Sequence, residues 1–163
     1  MSASLATVSV LRIVPEIPAD VGEVDRLVLE AFGPGRFAKT AERIRERARL
    51  AAGYVAREDG RLVGSVRLWA IRVGGVDAVF LGPIAVAAEA RDRGLGADLV
   101  GACMAQAQSL GVAGVLLVGD LSYFSRFGFE VAPDVKLAGP VDPKRLLWLN
   151  INASAPQGLA LPA

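Results

Sequence analysis

The chain predicts a mixed α/β (α+β) fold, a mostly antiparallel central sheet flanked by helices and containing one parallel strand pair. Three observations carry this. Apolar runs separated by two-residue turn signals follow one another from Tyr54 to Val86, the mark of an antiparallel meander. A polar Gly-rich loop and an amphipathic segment come next, so the order there is strand, loop, helix. Gly114 to Val118 is then continuously apolar, as in a strand buried on both faces, and the intervening helix makes it parallel to the strand before.

Taken in order, Ser9 to Val14 reads as the first strand, ended by Pro15 and Pro18. Asp20 stands three residues before Glu23 like a capping box, and Val21, Val24, Leu27, Val28 and Phe32 recur at helical spacing, giving a helix from Val21 to Phe32. Phe32 to Phe37, with two glycines and a proline, is a loop. A second helix is expected from Lys39 to Ala51. Its Arg43, Arg45, Arg47 and Arg49 interleave with Glu42 and Glu46, which reads as helical ion pairs on a solvated face and not as a nucleic-acid patch.

Strands are expected over Tyr54 to Glu58, Leu62 to Val73 and Val76 to Val86, joined by turns at Asp59-Gly60 and Gly74-Gly75. The helix starting near Ala97 carries Leu99, Val100, Cys103, Met104 and Ala107 on one stripe and ends near Gly111. Asp120 to Arg126 forms a short helical turn, FGFEVA returns as a strand, and Arg145 to Ile151 is the last one. The tail, 153–163, has no readable period and is expected to be mobile or loosely docked.

The 163 residues suit a single domain, 1–163, and 53% hydrophobic against 21% charged residues describe a packed globular protein. A net charge of +1 argues against a protein that coats nucleic acid or a membrane surface. No stretch reaches membrane-spanning length, and the N-terminus lacks the basic start of a secretory signal. The single cysteine, Cys103, allows no internal disulfide and sits on an apolar helix stripe, so a reducing cytoplasm is the default location. Histidine is absent, which removes the commonest proton shuttle and metal ligand. No metal is expected.

The loop RDRGLG, Arg91 to Gly96, lies between strand and helix, where backbone N–H groups and the helix dipole favour an anion. Gly94 and Gly96 let a ligand approach the backbone, and Arg91 and Arg93 add positive charge. A dinucleotide fingerprint would need glycine where Leu99 stands, and an ATP-type loop needs a Gly-Lys-Ser/Thr tripeptide that the chain lacks. What remains is R-x-x-G-x-G, or a Gly-rich turn that merely connects two elements.

This pattern, the strand LGPIAV before it, and the later YFSRFGF together resemble the GNAT superfamily of N-acetyltransferases, and the resemblance covers nearly the whole chain. It implies a sheet whose central parallel pair splays apart to admit acetyl-CoA. The backbone of Ile84, Ala85 and Val86 would hold pantetheine, and Arg91, Asp92, Arg93, Gly94, Leu95, Gly96 and Ala97 would hold the pyrophosphate. The implied reaction is direct transfer of an acetyl group to a primary amine of a small molecule or peptide. A homodimer is the assembly the resemblance makes available.

One departure stands out. The family commonly places a tyrosine acid four residues before the glycine matched by Gly128, and this chain has Phe124 there. Phe124 would then pack against the pantetheine arm. The adjacent Tyr123 is either the acid, given a shift in register, or a packed side chain, with Ser122, Ser125 or water as the substitutes in that case. Asp120 either serves the acceptor amine or caps the short helix. Phe32 and Arg36, in the loop matching the acceptor-side lid, are the substrate-side candidates. Glu30 reads as a solvated helix carboxylate. Two other functions fit the same residues: an acyl-CoA-binding module with weak or no transfer activity, because Phe124 replaces the acid, and a Gly-rich interaction domain that binds no nucleotide.

Overall fold

Residues 10–35 and 39–163 are described by a computed structural model. The elements are β1 (Leu11–Pro15), α1 (Val21–Phe32), α2 (Thr40–Arg47), β2 (Leu50–Glu58), β3 (Arg61–Val73), β4 (Val76–Val86), α3 (Leu95–Leu110), β5 (Gly114–Val118), α4 (Leu121–Phe124), β6 (Glu130–Val131), β7 (Val135–Lys136), β8 (Leu146–Asn150) and β9 (Gly158–Pro162). The main sheet runs β1-β2-β3-β4-β5-β8-β6. Along that path β4 and β5 are parallel and the other pairs antiparallel. The meander turns are set locally. Asp59 and Gly60 have φ of 51° and 82°, and Gly74 and Gly75 have φ of 56° and 81°, the two positive values that a type I′ turn requires.

Strand alternation sends side chains to two faces. Val79, Leu81, Val115, Leu117 and Leu147 join the core formed with α1 and α3. Ala78, Phe80, Leu116, Leu146 and Trp148 face the other way, where Ile44 of α2 and Val135, Leu137 and Ala160 cover them. The seat of α3 depends on Gly64. A Cβ there would lie 3.0 Å from Leu99 Cδ1 and 3.3 Å from Leu95 Cδ2, so a side chain at this position would press on the two leucines that seat the helix.

Four expectations are corrected. The second helix stops at Arg47 and the chain enters β2 at Leu50, because the long β3 offers a ladder partner, Trp69, that outweighs local helix propensity. FGFEVA contributes two strand residues, Glu130 and Val131, before Pro133. Asp20 does not box with Glu23. Its carboxylate accepts the Ile17 N–H at 2.9 Å and Arg57 Nη2 at 2.7 Å, bracing the turn before α1 against β2. The tail is docked: β9 adds to β3 where β2 leaves it, pairing Ile71 with Pro162 and Val73 with Ala160, and also runs alongside β7. The first strand begins at Leu11, and Ser9 lies outside the described residues.

Two outcomes follow from this packing. Ending the chain at Gln157 uncovers Ile71, Val73 and Val135. At about 1.5–3 kcal/mol per aliphatic side chain fully returned to water, the shortened protein melts at least about 10 °C lower in a thermal scan. The second concerns acid. The Ile17 N–H foremost, and Arg57 after it, hold the Asp20 carboxyl below its ordinary value of 3.8. The unfolded chain therefore binds this proton more readily, and the pair stabilises the fold above that ordinary value and fades as pH falls through the lowered one. Asp20→Asn costs about 1–3 kcal/mol at pH 7, and in acid titration of stability the variant loses less than the parent below about pH 4.

Candidate functional site

The site begins where a strand pair ends. β4 and β5 meet only at Val79 with Val115 and Phe80 with Leu116. Beyond that point β4 bulges: its pairing with β3 passes from Leu81–Leu68 to Ile84–Val66, leaving Gly82 and Pro83 opposite Arg67. Pro83 has no N–H to offer a neighbouring strand. The Gly82 carbonyl accepts the Trp69 indole N–H at 2.6 Å. The strands therefore part, and a cavity of about 430 Å³ opens between Leu81–Ile84 and Leu117–Asp120. Phe32 of α1, Lys39 just before α2, Ala41 and Arg45 of α2, Tyr123 and Phe124 of α4, and Arg145 also line it.

Past the cavity β4 runs through Ala85 and Val86 into a 3-10 turn, Ala88–Ala90, and then the RDRGLG loop. Asp92 sits at φ 64° and Gly94 at φ 75°, left-handed conformations that sharply redirect the chain into α3. No side chain caps α3, whose first helical bond runs from Asp98 N–H to the Gly94 carbonyl. The N–H groups of its first turn thus have no partner within the helix. The space over Gly94 is open, since a Cβ there would meet nothing within 4 Å. This is the geometry of an anion site at a helix N-terminus.

The individual candidates are distributed as follows. Ile84 lines the cavity, Ala85 is buried and Val86 is half-buried on the same strand. Arg91 is exposed, with Nε donating to the Val86 carbonyl at 3.3 Å. Arg93 instead turns to Glu58, donating to both carboxylate oxygens at 2.8 and 3.0 Å. The Leu95 side chain is buried in the core, so it serves the loop as an anchor and through its backbone. Gly96 and Ala97 lie half-exposed in the first turn of α3.

Across the cavity Phe124 packs edge-on to Phe129 and lies against Gly119, where a Cβ would stand 2.5 Å from its ring. Tyr123 faces differently, its hydroxyl 3.5 Å from where a Cβ on Gly96 would be. Arg126 fixes it, stacking 4.3 Å from the ring centroid and donating to its carbonyl at 3.0 Å. Asp120 starts α4 with its backbone carbonyl, which accepts from Tyr123 and Phe124. Its carboxylate makes no cap and accepts from Arg145 Nη1 at 2.6 Å. Phe32 is half-exposed at the cavity wall, Glu30 is exposed on α1, and Arg36 lies outside the described residues.

Lys39, Arg45 and Arg145 line the cavity without having been singled out from the sequence. Arg45 and Glu42, three residues apart on one helix face, pair at 3.4 Å and turn inward, correcting the reading of that whole arginine series as solvated; the Glu42-to-Arg45 spacing signals the pair but not its burial. Arg145 carries no comparable local sign. A second cavity of about 200 Å³ shares Arg45 and Pro83 with the first and adds Asp25, Glu42, Glu46 and Arg67. Burial pushes the Cys103 thiol up to about 12, so it is no nucleophile at neutral pH.

Strands that part around a cavity and lead to an open helix N-terminus form an α/β site suited to a ligand with an anionic end. Residues 22–129 match the acetyltransferase (GNAT) family. The chain is 36% identical over 120 residues to the uncharacterized N-acetyltransferase YhbS of Escherichia coli, covering 72% of each protein. The crystal structure of that protein in complex with CoA has a TM-score of 0.78 and 29% identity, covering 100% of this chain and 94% of the other. A GNAT family acetyltransferase from Brucella melitensis, in complex with acetyl-CoA, has a TM-score of 0.74 and 25% identity over 94% of this chain and 96% of its own. The chain belongs to the GNAT family of acetyltransferases and is an acyltransferase.

Proposed function

We propose that the chain transfers an acetyl group from acetyl-CoA directly to a primary amine, with the parting of β4 and β5 as the reaction site. The observation that carries this is the continuity from the cavity, past Ile84, Ala85 and Val86, to the uncapped start of α3 at Gly94. The residues fit such a ligand. β4 beyond Phe80 is no longer paired with β5, the space over Gly94 is clear, and Arg91, Gly94, Gly96 and Ala97 bring a cation and backbone donors to one place. The complexes of the E. coli and Brucella relatives with CoA and acetyl-CoA support the same reading.

Acetyl-CoA supplies a thioester, whose acyl carbon is attacked and whose thiolate departs. The chain's part is to orient, to polarise and to handle protons. Phe124 and Ile84 give the arm apolar walls. Tyr123 is the proposed O–H donor to the departing thiolate, since Phe124 has no hydroxyl. Asp120, steadied by Arg145, is the proposed acceptor for the amine proton, directly or through water. Phe32 and Arg36 belong to the acceptor side, and Lys39 adds positive charge to the cavity wall beside the Arg45–Glu42 pair. That charge supports an amine, small molecule or peptide, that also carries a carboxylate. The single buried thiol supports action in a reducing cytoplasm.

Thermal melts test the cofactor reading. Acetyl-CoA at one hundred times its dissociation constant adds about 2.7 kcal/mol, a rise of about 5–10 °C, while ATP and NADH leave the melt where it was. Equal shifts with all three ligands, or none, count against it. Once an acceptor is found in a panel of amines with and without a carboxylate, Tyr123→Phe lowers kcat about 100-fold at unchanged acetyl-CoA KM if its proton is used. An unchanged kcat removes Tyr123 from the chemistry.

A further inference from the structure

The RDRGLG loop and the 3-10 turn before it are tied at two points to an element distant in sequence, the hairpin between β2 and β3. Glu58, the last residue of β2, takes both donors of Arg93 at 2.8 and 3.0 Å. Arg61, the first residue of β3, pairs with Glu89. The signs are crossed: the hairpin offers an acid and then a base across its turn, and the loop segment offers an acid and then a base to meet them.

The hairpin is itself held. Asp59 and Val10 exchange two hydrogen bonds, each 3.1 Å. Arg57 donates to the Gly60 carbonyl at 2.8 Å while it is paired with Asp20 and Glu23. The bridge from Glu58 to Arg93 is therefore anchored on one side in the sheet. On its other side lies a segment with two left-handed residues, Gly94 and Asp92, and Asp92, unlike a glycine, seldom holds that conformation in a free chain.

We infer that Glu58 is a positioning residue for acetyl-CoA: through Arg93 it holds the RDRGLG loop in its ligand-ready shape, and Arg93 serves as the tether while Arg91 is the arginine left to face phosphate. This rests on the reading of Arg91 to Ala97 as the pyrophosphate loop. The two donors of Arg93 that face Glu58 are occupied in a bidentate fork, a geometry that fixes orientation as well as distance. Its charge is matched by the carboxylate beside it, and the guanidinium holds the Glu58 carboxyl below its ordinary value, so the tether stays ionised at neutral pH. Ordering the loop before the ligand arrives removes that cost from binding.

The sign of one substitution separates tether from simple electrostatics. Removing a carboxylate beside a polyanion site should tighten binding if only the field matters. Glu58→Gln loosens the loop and weakens it. With the full chain and calorimetric titration of acetyl-CoA, the expected result for Glu58→Gln is a dissociation constant about three- to five-fold higher, with faster amide exchange confined to residues 88–97 in the free protein. Arg93→Glu weakens binding further, and the pair Glu58→Arg with Arg93→Glu returns it to within about two-fold of the parent, because the swap rebuilds the tether.

Unchanged or tighter binding by Glu58→Gln, or a swap as weak as Arg93→Glu alone, overturns the inference and makes Arg93 a direct phosphate contact. A lower melting temperature with unchanged affinity also overturns it, leaving Glu58 a purely structural role. Gly96→Val is the control on the loop reading itself. If it too leaves acetyl-CoA affinity untouched, the pyrophosphate assignment falls together with the tether. If it abolishes binding while Glu58→Gln does nothing, the tether alone falls.

Discussion

The structure turns on the parting of two parallel strands after only two residue pairs. A parallel pair cannot be joined by a hairpin, so β4 and β5 need a crossover, and α3 is that crossover. Its N-terminus must therefore lie beyond the C-terminal end of β4, where ligands bind in sheets of this kind. The bulge at Gly82 and Pro83 then stops β4 from continuing the ladder, and the cavity and the anion-favouring helix end fall on one line. Had the pairing run on past Phe80 and Leu116, β5 would have covered the strand edge that borders the cavity.

The elements around that line divide the work. α1 and α3 lie on one face of the sheet, and α2 with β7 and β9 on the other, so the parting is reached from elements of both faces. Gly64 lets α3 sit close enough for Leu95 and Leu99 to enter the core, which fixes the position of the helix end to which the loop leads. Charged side chains are kept at the margins and matched there: Arg67 with Glu16, Arg93 with Glu58, Arg145 with Asp120. Each of these three arginines is thus matched and not left as a lone charge near the site.

What could be read from the residues depended on how sharp the local signal was. The bounds of α1, β4 and β5 were legible to the residue, because apolar period and turn chemistry coincide at Val21, at Gly74-Gly75 and at Gly114. The loop was legible for the same reason, with strand, glycines and helix in immediate succession. β9 was not: it buries a small Ala160 and exposes Leu159 and Leu161, the reverse of the pattern that marks a half-buried strand. The inward turn of Arg45 and the partner of Asp120 depend on elements far away in sequence. Asp20 had a plausible local partner in Glu23, and a distant one, Arg57, prevailed together with the Ile17 N–H.

Tyr123 and Phe124 face different walls for a geometric reason. Neighbours on a helical turn point about 100° apart, so one residue of displacement moves a hydroxyl to a different wall. Phe124 lies on Gly119, where β5 ends, and supplies an apolar surface there. Tyr123 points toward Gly96 at the start of α3 and is held by Arg126 across its ring and at its carbonyl. In the proposed reaction the proton donor thus approaches from the helix side of the cavity. The chain has no histidine and Cys103 is buried with its thiol pushed up, and among the described residues the cavity is lined by one phenol, Tyr123, and one carboxyl, Asp120. Tyr123 and Asp120 stand on either side of the turn that begins α4, three residues apart, so a single short helix aims both.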